Sequence, residues 1–419
     1  MSQPLMILFA GVILFIIFEI FSISREKSFA SILSGSFLTL FVVLSWNNWL
    51  SESMNRVTIF LGILIGLVLL SISVMKSDWK WRDLALLFIS GIGLILSSSA
   101  NSFFGFIAAI WSAGFGIAML FDSDEQTRTE ALNFMYAISL GVLLLVGGGL
   151  LFLKGSDSAG INFNKIGLIF ASAGALVLMG IYPFGVWLNR ITEETPNYIL
   201  LLIYGGWRIA LFGGIIRFLS PLLGLKGNFA IVLGLLALIT TFIGSASIWN
   251  ERKERRIIIH FNYALGGVFL LPIVALPGGG TDVEQMMLLL MTSLLFSIIG
   301  LFSLASSNMV GMWRRAIAIL LMFSGAGIGP FFTFFAKLNL FSTLSAGGNI
   351  YPLVCSFLVS LMLIMSVVRF ALKVDGIEHA VEDGTIGAKA VSYFSFAASL
   401  VFGILPSGML AISWYSANS

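Results

Sequence analysis

Apolar runs of about twenty residues, the length that carries a helix across a bilayer, recur along the whole chain with short polar stretches between them. Fourteen spans are predicted, at 4–24, 29–50, 57–75, 83–98, 102–121, 131–153, 166–189, 198–220, 229–249, 257–276, 286–305, 316–345, 351–372 and 390–414. The first run is long and has no basic stretch before it, so it is expected to be a true first span rather than a cleaved signal. No soluble domain is expected between the spans. The pattern predicts an all-α polytopic membrane protein of about 14 transmembrane helices.

Two of these spans are interrupted in the same way. Span 7 contains Gly180-Ile181-Tyr182-Pro183-Phe184, and span 12 contains Gly327-Ile328-Gly329-Pro330-Phe331. One span after each break the text matches again, as Ile215-Ile216-Arg217-Phe218 and Val367-Val368-Arg369-Phe370. Gly180, Pro183, Gly327 and Pro330 are therefore expected to break helices 7 and 12. Paired broken helices in corresponding places mark a transporter built from a repeat, with a polar site near the membrane midplane.

Basic residues orient the chain. Loops after odd-numbered spans hold fifteen of them, and loops after even-numbered spans hold four: Arg56, Lys154, Lys165 and Lys226. The positive-inside rule then puts the odd loops in the cytoplasm and both termini outside. Spans 7 and 12 run in opposite directions, as do 8 and 13. The expected repeat is thus an inverted five-helix repeat, spans 4–8 against 9–13. The single membrane domain, 1–419, divides into three N-terminal helices (1–80), repeat one (81–225), repeat two (226–374) and a C-terminal helix (375–419).

Composition narrows the chemistry. The chain is 58% hydrophobic and 10% charged, which excludes a soluble protein of this size. Its net charge of +3 reflects membrane-flanking loops and does not point to nucleic acid. The one cysteine, Cys355, is expected to be a small packing residue. Two histidines and one cysteine are too few for a haem, iron–sulfur or zinc site, so no metal and no bound cofactor are expected in this chain.

Four basic residues fall within spans: Arg208, Arg217, Lys337 and Arg369. Arg217 and Arg369 lie near span ends, where snorkelling to the interface is expected. Arg208 and Lys337 are deeper, and a buried cation costs about 2.5–3.5 kcal/mol on insertion scales, so each is a functional candidate. Lys337 follows Pro330 by seven residues, where carbonyls freed by the break can solvate an ammonium. Desolvation can strip a proton from a lysine but not from an arginine. Lys337 is the candidate proton site, with outward snorkelling as the other reading. Arg208 is the candidate pKa-tuning or pairing residue. Of the acids, only Glu19 is expected within a span, which leaves both cations without an obvious partner: either Lys337 is neutral, or a neighbouring subunit or lipid supplies the counter-charge. The run Asn250-Glu251-Arg252-Lys253-Glu254-Arg255-Arg256 is expected to be a solvated cytoplasmic loop, and His260 an interfacial packing residue.

At these residues the chain resembles the antiporter-like membrane subunits of respiratory complex I, of the subunit N type, which are related to Mrp-type cation/proton antiporter subunits. Tyr182-Pro183-Phe184-Gly185-Val186-Trp187-Leu188 resembles that family's V-P-F-H-x-W segment, Thr195-Pro196 the opening of its span 8, and Arg255-Arg256-Ile257-Ile258 its entry to span 10. Gly327 to Lys337 resembles G-I-P-P-x-x-G-F-x-G-K. The resemblance covers essentially the whole chain. It implies fourteen spans with an inverted repeat, and it puts Lys337 at the span-12 lysine of the proton path. It also implies four departures: Trp111 near a span-5 glutamate, Leu178 at a span-7 lysine, Gly185 at a histidine, and Leu265 at a span-10 histidine. Arg208 stands at or beside a span-8 lysine.

The implied function is a membrane-arm subunit of a proton-translocating NADH–quinone oxidoreductase, itself non-catalytic. NADH, FMN, iron–sulfur clusters and quinone would sit in partner subunits of a multisubunit respiratory complex, in the bacterial inner membrane or alternatively the mitochondrial inner membrane. The other readings are a structural scaffold of such a complex and a stand-alone cation/proton antiporter.

Overall fold

The computed structural model describes residues 53–76, 79–100, 102–121, 127–154, 163–189, 195–215, 218, 228–275, 281–346, 350–373 and 385–404. Expected spans 1 and 2, with Glu19, lie outside the described residues, and so does Arg217. Helices lie within every other expected span.

Spans 3 to 6 are α1 (Ser53–Met75), α2 (Trp81–Ser99), α3 (Phe103–Phe121) and α4 (Arg128–Lys154). Span 7 is split into α5 (Phe163–Met179) and the single turn α6 (Val186–Asn189). Span 8 is α7, a continuous run of Asn197–Leu201, a π-helical stretch Leu202–Trp207, and Arg208–Gly214. Spans 9 to 11 are α8 (Asn228–Asn250), α9 (Glu254–Ala275) and α10 (Thr281–Ala305). Span 12 is split into α11 (Gly311–Ala326) and α12 (Phe332–Ala346); α13 (Ile350–Lys373) and α14 (Ile386–Ile404) follow. Among the described residues, α2, α3, α4, α8, α9, α13 and α14 are long and apolar enough to cross a membrane by length and composition.

Neighbours in sequence pack as antiparallel pairs: α2 on α3, α4 on α5, and α8 on α9. Close approach of α4 and α5 requires small residues, as expected where backbones touch inside a membrane. A Cβ added at Gly148 would lie 2.5 Å from the Ala171 backbone nitrogen.

Burial separates an inner set of helices from an outer one. In α9, 94% of the span is buried, against 33–50% for the six other candidates. The described residues of α7 from Asn197 to Gly214 are buried apart from Tyr198. By contrast α4 exposes Leu132, Tyr136, Leu140, Leu143 and Leu150. Their spacing of three, four and seven puts them on one face. An apolar stripe this long on a surface belongs against lipid or another membrane protein. The molecule is a multi-pass membrane protein with α7 and α9 at its centre.

Two polar clusters pin the ends that carry the basic loops. The run 250–256 is not simply solvated: Glu254, in the first turn of α9, is 2% exposed and pairs with Arg314 of α11. Arg314 Nε donates to both carboxylate oxygens, at 3.0 and 3.3 Å, and Nη1 donates to the carbonyls of Ser307 and Met309. Arg314 thereby lies inside the protein rather than in a loop. Asp83, at the first position of expected span 4, sits in the first turn of α2, buried, and accepts from Lys76 Nζ at 2.8 Å. Glu130 is buried likewise in the first turn of α4. All three carboxylates occupy helix N-terminal turns, where the helix dipole favours negative charge.

Candidate functional site

The two breaks have the same backbone. α5 ends at Gly180 with φ 69°, and α11 ends at Gly327 with φ 76°. This left-handed region favours glycine because a side chain would strike the following carbonyl. At the first break, Gly180 N–H donates to Val177 C=O and Ile181 N–H to Leu176 C=O, both at 3.1 Å. At the second, Gly327 N–H donates to Ser324 C=O and Ile328 N–H to Phe323 C=O, both at 3.0 Å. These are paired Schellman closures. A cis peptide precedes Pro183 in one and Pro330 in the other.

What caps the freed carbonyls differs. At the first break Trp187 Nε1 donates to Val177 C=O at 3.0 Å, and Trp207 Nε1 donates to Leu178 C=O at 2.9 Å. Both indoles are nearly fully buried. At the second break Lys337 Nζ donates to Ala326 C=O at 2.7 Å. Lys337 is 3% exposed and points inward, so it does not snorkel. Gly327 makes room for it: a Cβ there would lie 2.7 Å from Lys337 Cδ. An ammonium has three N–H donors, and among the described residues one has an acceptor. Close by in sequence to Ala326, Ser324 Oγ meets Ser399 Oγ of α14 at 2.5 Å, with both hydroxyls buried. Ser392 and Ser395 continue the buried face of α14.

Arg208 is 0% exposed. It follows the π-helical stretch, a feature often found where a helix serves a site. Nη1 donates to Asn262 C=O of α9 at 2.6 Å. The guanidinium carbon lies 4.8 Å from the Tyr204 ring centroid and 5.9 Å from that of Phe269. Nε and Nη2 are buried without a hydrogen-bond partner. Among the described residues Arg208 is enclosed by this chain's own helices and has no carboxylate partner. Lys337 and Arg208 sit on different helices and share no contact among the described interactions.

The remaining sequence candidates are peripheral. Arg369 is half-buried on α13, its guanidinium 6.0 Å from the Trp249 ring centroid. His260 is half-buried in α9 with Nδ1 unpartnered. Cys355 is buried in α13 beside Gly234. The Trp207 cap, the Arg314–Glu254 pair and the tyrosines around Arg208 carry no local sequence signal. Trp207, the Arg314–Glu254 pair and Tyr263 are brought in from other helices.

Over 391 residues the chain is 24% identical to NADH-quinone oxidoreductase subunit N of Cupriavidus taiwanensis, covering 86% of this chain and 73% of that protein. Over 348 residues it is 25% identical to the protein of the same name from Polaromonas naphthalenivorans, covering 72% and 69%. This chain is similar to subunit N. No family model matches it. Its fold is that of a chain in respiratory complex I from Thermus thermophilus with bound aureothin, at TM-score 0.78 and 15% identity over 97% of this chain and 98% of that one. Chains of the Mrp complex from Dietzia sp. (TM-score 0.76, 12% identity, 100% and 97% covered) share the fold. So do chains of the membrane-bound sulfane sulfur reductase, an archaeal respiratory membrane complex (TM-score 0.79, 12% identity, 100% and 97% covered).

Against the subunit N pattern, the four departures have physical surroundings of their own. Leu178 and Leu265 are 1% and 0% exposed within the apolar core. Trp111 stands 47% exposed on α3, stacked on Phe115 at 6.1 Å. Gly185 has no space for a histidine: a Cβ there would lie 2.1 Å from the Gly180 carbonyl oxygen. The first break is tightened around glycine, tryptophan and leucine, while the second holds a lysine.

Proposed function

We propose that the chain is a membrane-arm subunit of a complex I-like, proton-translocating NADH–quinone oxidoreductase, and that Lys337 is its exchangeable proton site. The observation that carries this reading is the buried Lys337 ammonium on the Ala326 carbonyl, at a helix break. Similarity to subunit N over most of the chain supports the assembly. In this reading the hydroxyls of Ser324 and Ser399 offer proton-bearing groups near the break, and Arg208 supplies a fixed positive charge in the core.

The reading extends to fourteen spans with an inverted repeat, spans 4–8 against 9–13, both termini outside and a bacterial inner membrane location. Duplicate Schellman closures at Gly180 and Gly327 support the repeat. So does the matching pairing of α2 with α3 and of α8 with α9. NADH, FMN, iron–sulfur clusters and quinone would belong to partner subunits.

A second reading is a scaffold subunit that conducts nothing. The tryptophan-capped first break and the apolar surroundings of Leu178 and Leu265 favour it. Membership is tested by purifying the chain from its native membrane in mild detergent and identifying what accompanies it. Quinone-reductase subunits are expected in stoichiometric amounts. A chain that runs alone and transports cations in liposomes would replace the proposal with a stand-alone antiporter.

A further inference from the structure

Around Arg208 the fold gathers polar groups that the protein does not satisfy. Arg208 Nε and Nη2, Tyr204 Oη, Tyr263 Oη and Asn262 Oδ1 are all buried without a hydrogen-bond partner. Each of the four residues is 0% exposed. Tyr204 lies on α7 one turn before Arg208, with its ring against the guanidinium. Asn262 and Tyr263 are adjacent on α9, and Asn262 already holds Arg208 through its carbonyl. Asn262 Nδ2 is occupied with the Ile258 carbonyl at 2.8 Å. Gly266 lets the guanidinium lie against α9, since a Cβ there would be 3.0 Å from Nη2.

The charge of this group is one-sided. Nε carries one N–H, Nη2 carries two, and each tyrosine hydroxyl can donate one more. Asn262 Oδ1 and the two tyrosine oxygens can accept, but none of these neutral acceptors carries a charge to balance the guanidinium. Arg208 forms no ion pair among the described residues, and an arginine in a protein keeps its charge. Aromatic faces offset part of such a charge when desolvated, well short of what burying an ion costs. Water satisfies donors but leaves the charge. A species that accepts several hydrogen bonds and carries one negative charge answers both.

We infer that Arg208, Tyr204 and Tyr263 form a binding site for a small monovalent anion of the chloride class. Full burial of the four residues restricts the ligand to a small ion. The site lies apart from Lys337 and does not depend on its role.

The test uses the full-length protein, purified with its native partners, in sodium chloride, sodium bromide or sodium gluconate at equal ionic strength. Chloride and bromide are expected to raise the unfolding temperature of this chain over gluconate, with saturation. Tyr263→Phe is expected to raise the half-saturating halide concentration by about tenfold, the value of one hydrogen bond to a charged partner. Lys337→Ala is expected to leave the halide effect intact. Bromide should also give an anomalous diffraction peak beside Arg208 Nη2. Equal unfolding temperatures in halide and gluconate, with no bromide peak there, overturn the inference in favour of water alone. A halide effect that Tyr204→Phe and Tyr263→Phe both leave unchanged marks an adventitious ion only, and overturns it too. Because the tyrosine variants lose a single hydroxyl each, the test does not depend on an arginine variant folding.

Discussion

Lys337 and Arg314 show how differently two buried cations are held. Arg314 has a carboxylate, Glu254, and two carbonyls. Lys337 has one carbonyl. Breaking the former pair strands a buried charge, which costs about 3–5 kcal/mol, while replacing both members by apolar groups costs far less. Glu254→Gln and Arg314→Met should each lower the unfolding temperature sharply, and the double variant should recover part of it; additive losses would contradict a coupled pair. Of these residues Lys337 was legible in the sequence, because its spacing from Pro330 places it beside carbonyls that a break must free. The Arg314–Glu254 pair was not. Sixty residues separate its members, and Glu254 sits in a charged run that reads locally as solvated. Arg208 was legible as buried, but its enclosure by Tyr204, Asn262 and Tyr263 depends on how α7 meets α9.

Each helix break is one element used twice with different caps. The glycine–proline text predicted both breaks in the right places, since a left-handed glycine and a proline end a helix whatever surrounds them. It did not predict the caps. Trp187 lies just past the first break, in the segment that resembles V-P-F-H-x-W; Trp207 reaches it from α7, and no local pattern announces its indole N–H aimed at a carbonyl. Trp207→Phe keeps the ring and removes the donor, so a loss of about 1 kcal/mol is expected, read as a lower unfolding midpoint; an unchanged midpoint would mean that the Leu178 carbonyl finds another donor. Gly185→Ala should be worse than an ordinary surface change, because the new methyl meets the Gly180 carbonyl. Gly329→Ala, where the nearest side-chain atom is 3.7 Å away, should be tolerated. Comparable expression and stability of these two variants would contradict the tight first break.

At the scale of the whole molecule, the apolar rhythm placed the helices that the described residues form. Membrane spans must satisfy their backbone internally, so length and hydropathy fix them closely. The nesting of α7 and α9 inside a shell of partly exposed helices was not readable, because both inner and outer spans are apolar and differ mainly in what covers them. The topology predicts that reporter fusions at either terminus signal from outside the cytoplasm; a cytoplasmic signal from one end would contradict the inverted repeat. The central claim is that Lys337 exchanges protons for an intact assembly. Its most direct test is the number of protons moved per electron pair in membrane vesicles carrying Lys337→Ala or Lys337→Arg, at matched assembly and quinone-reductase activity. The account predicts a lower ratio for both, since arginine keeps the charge but does not release its proton. An unchanged ratio in both variants would contradict it and leave the scaffold reading in its place.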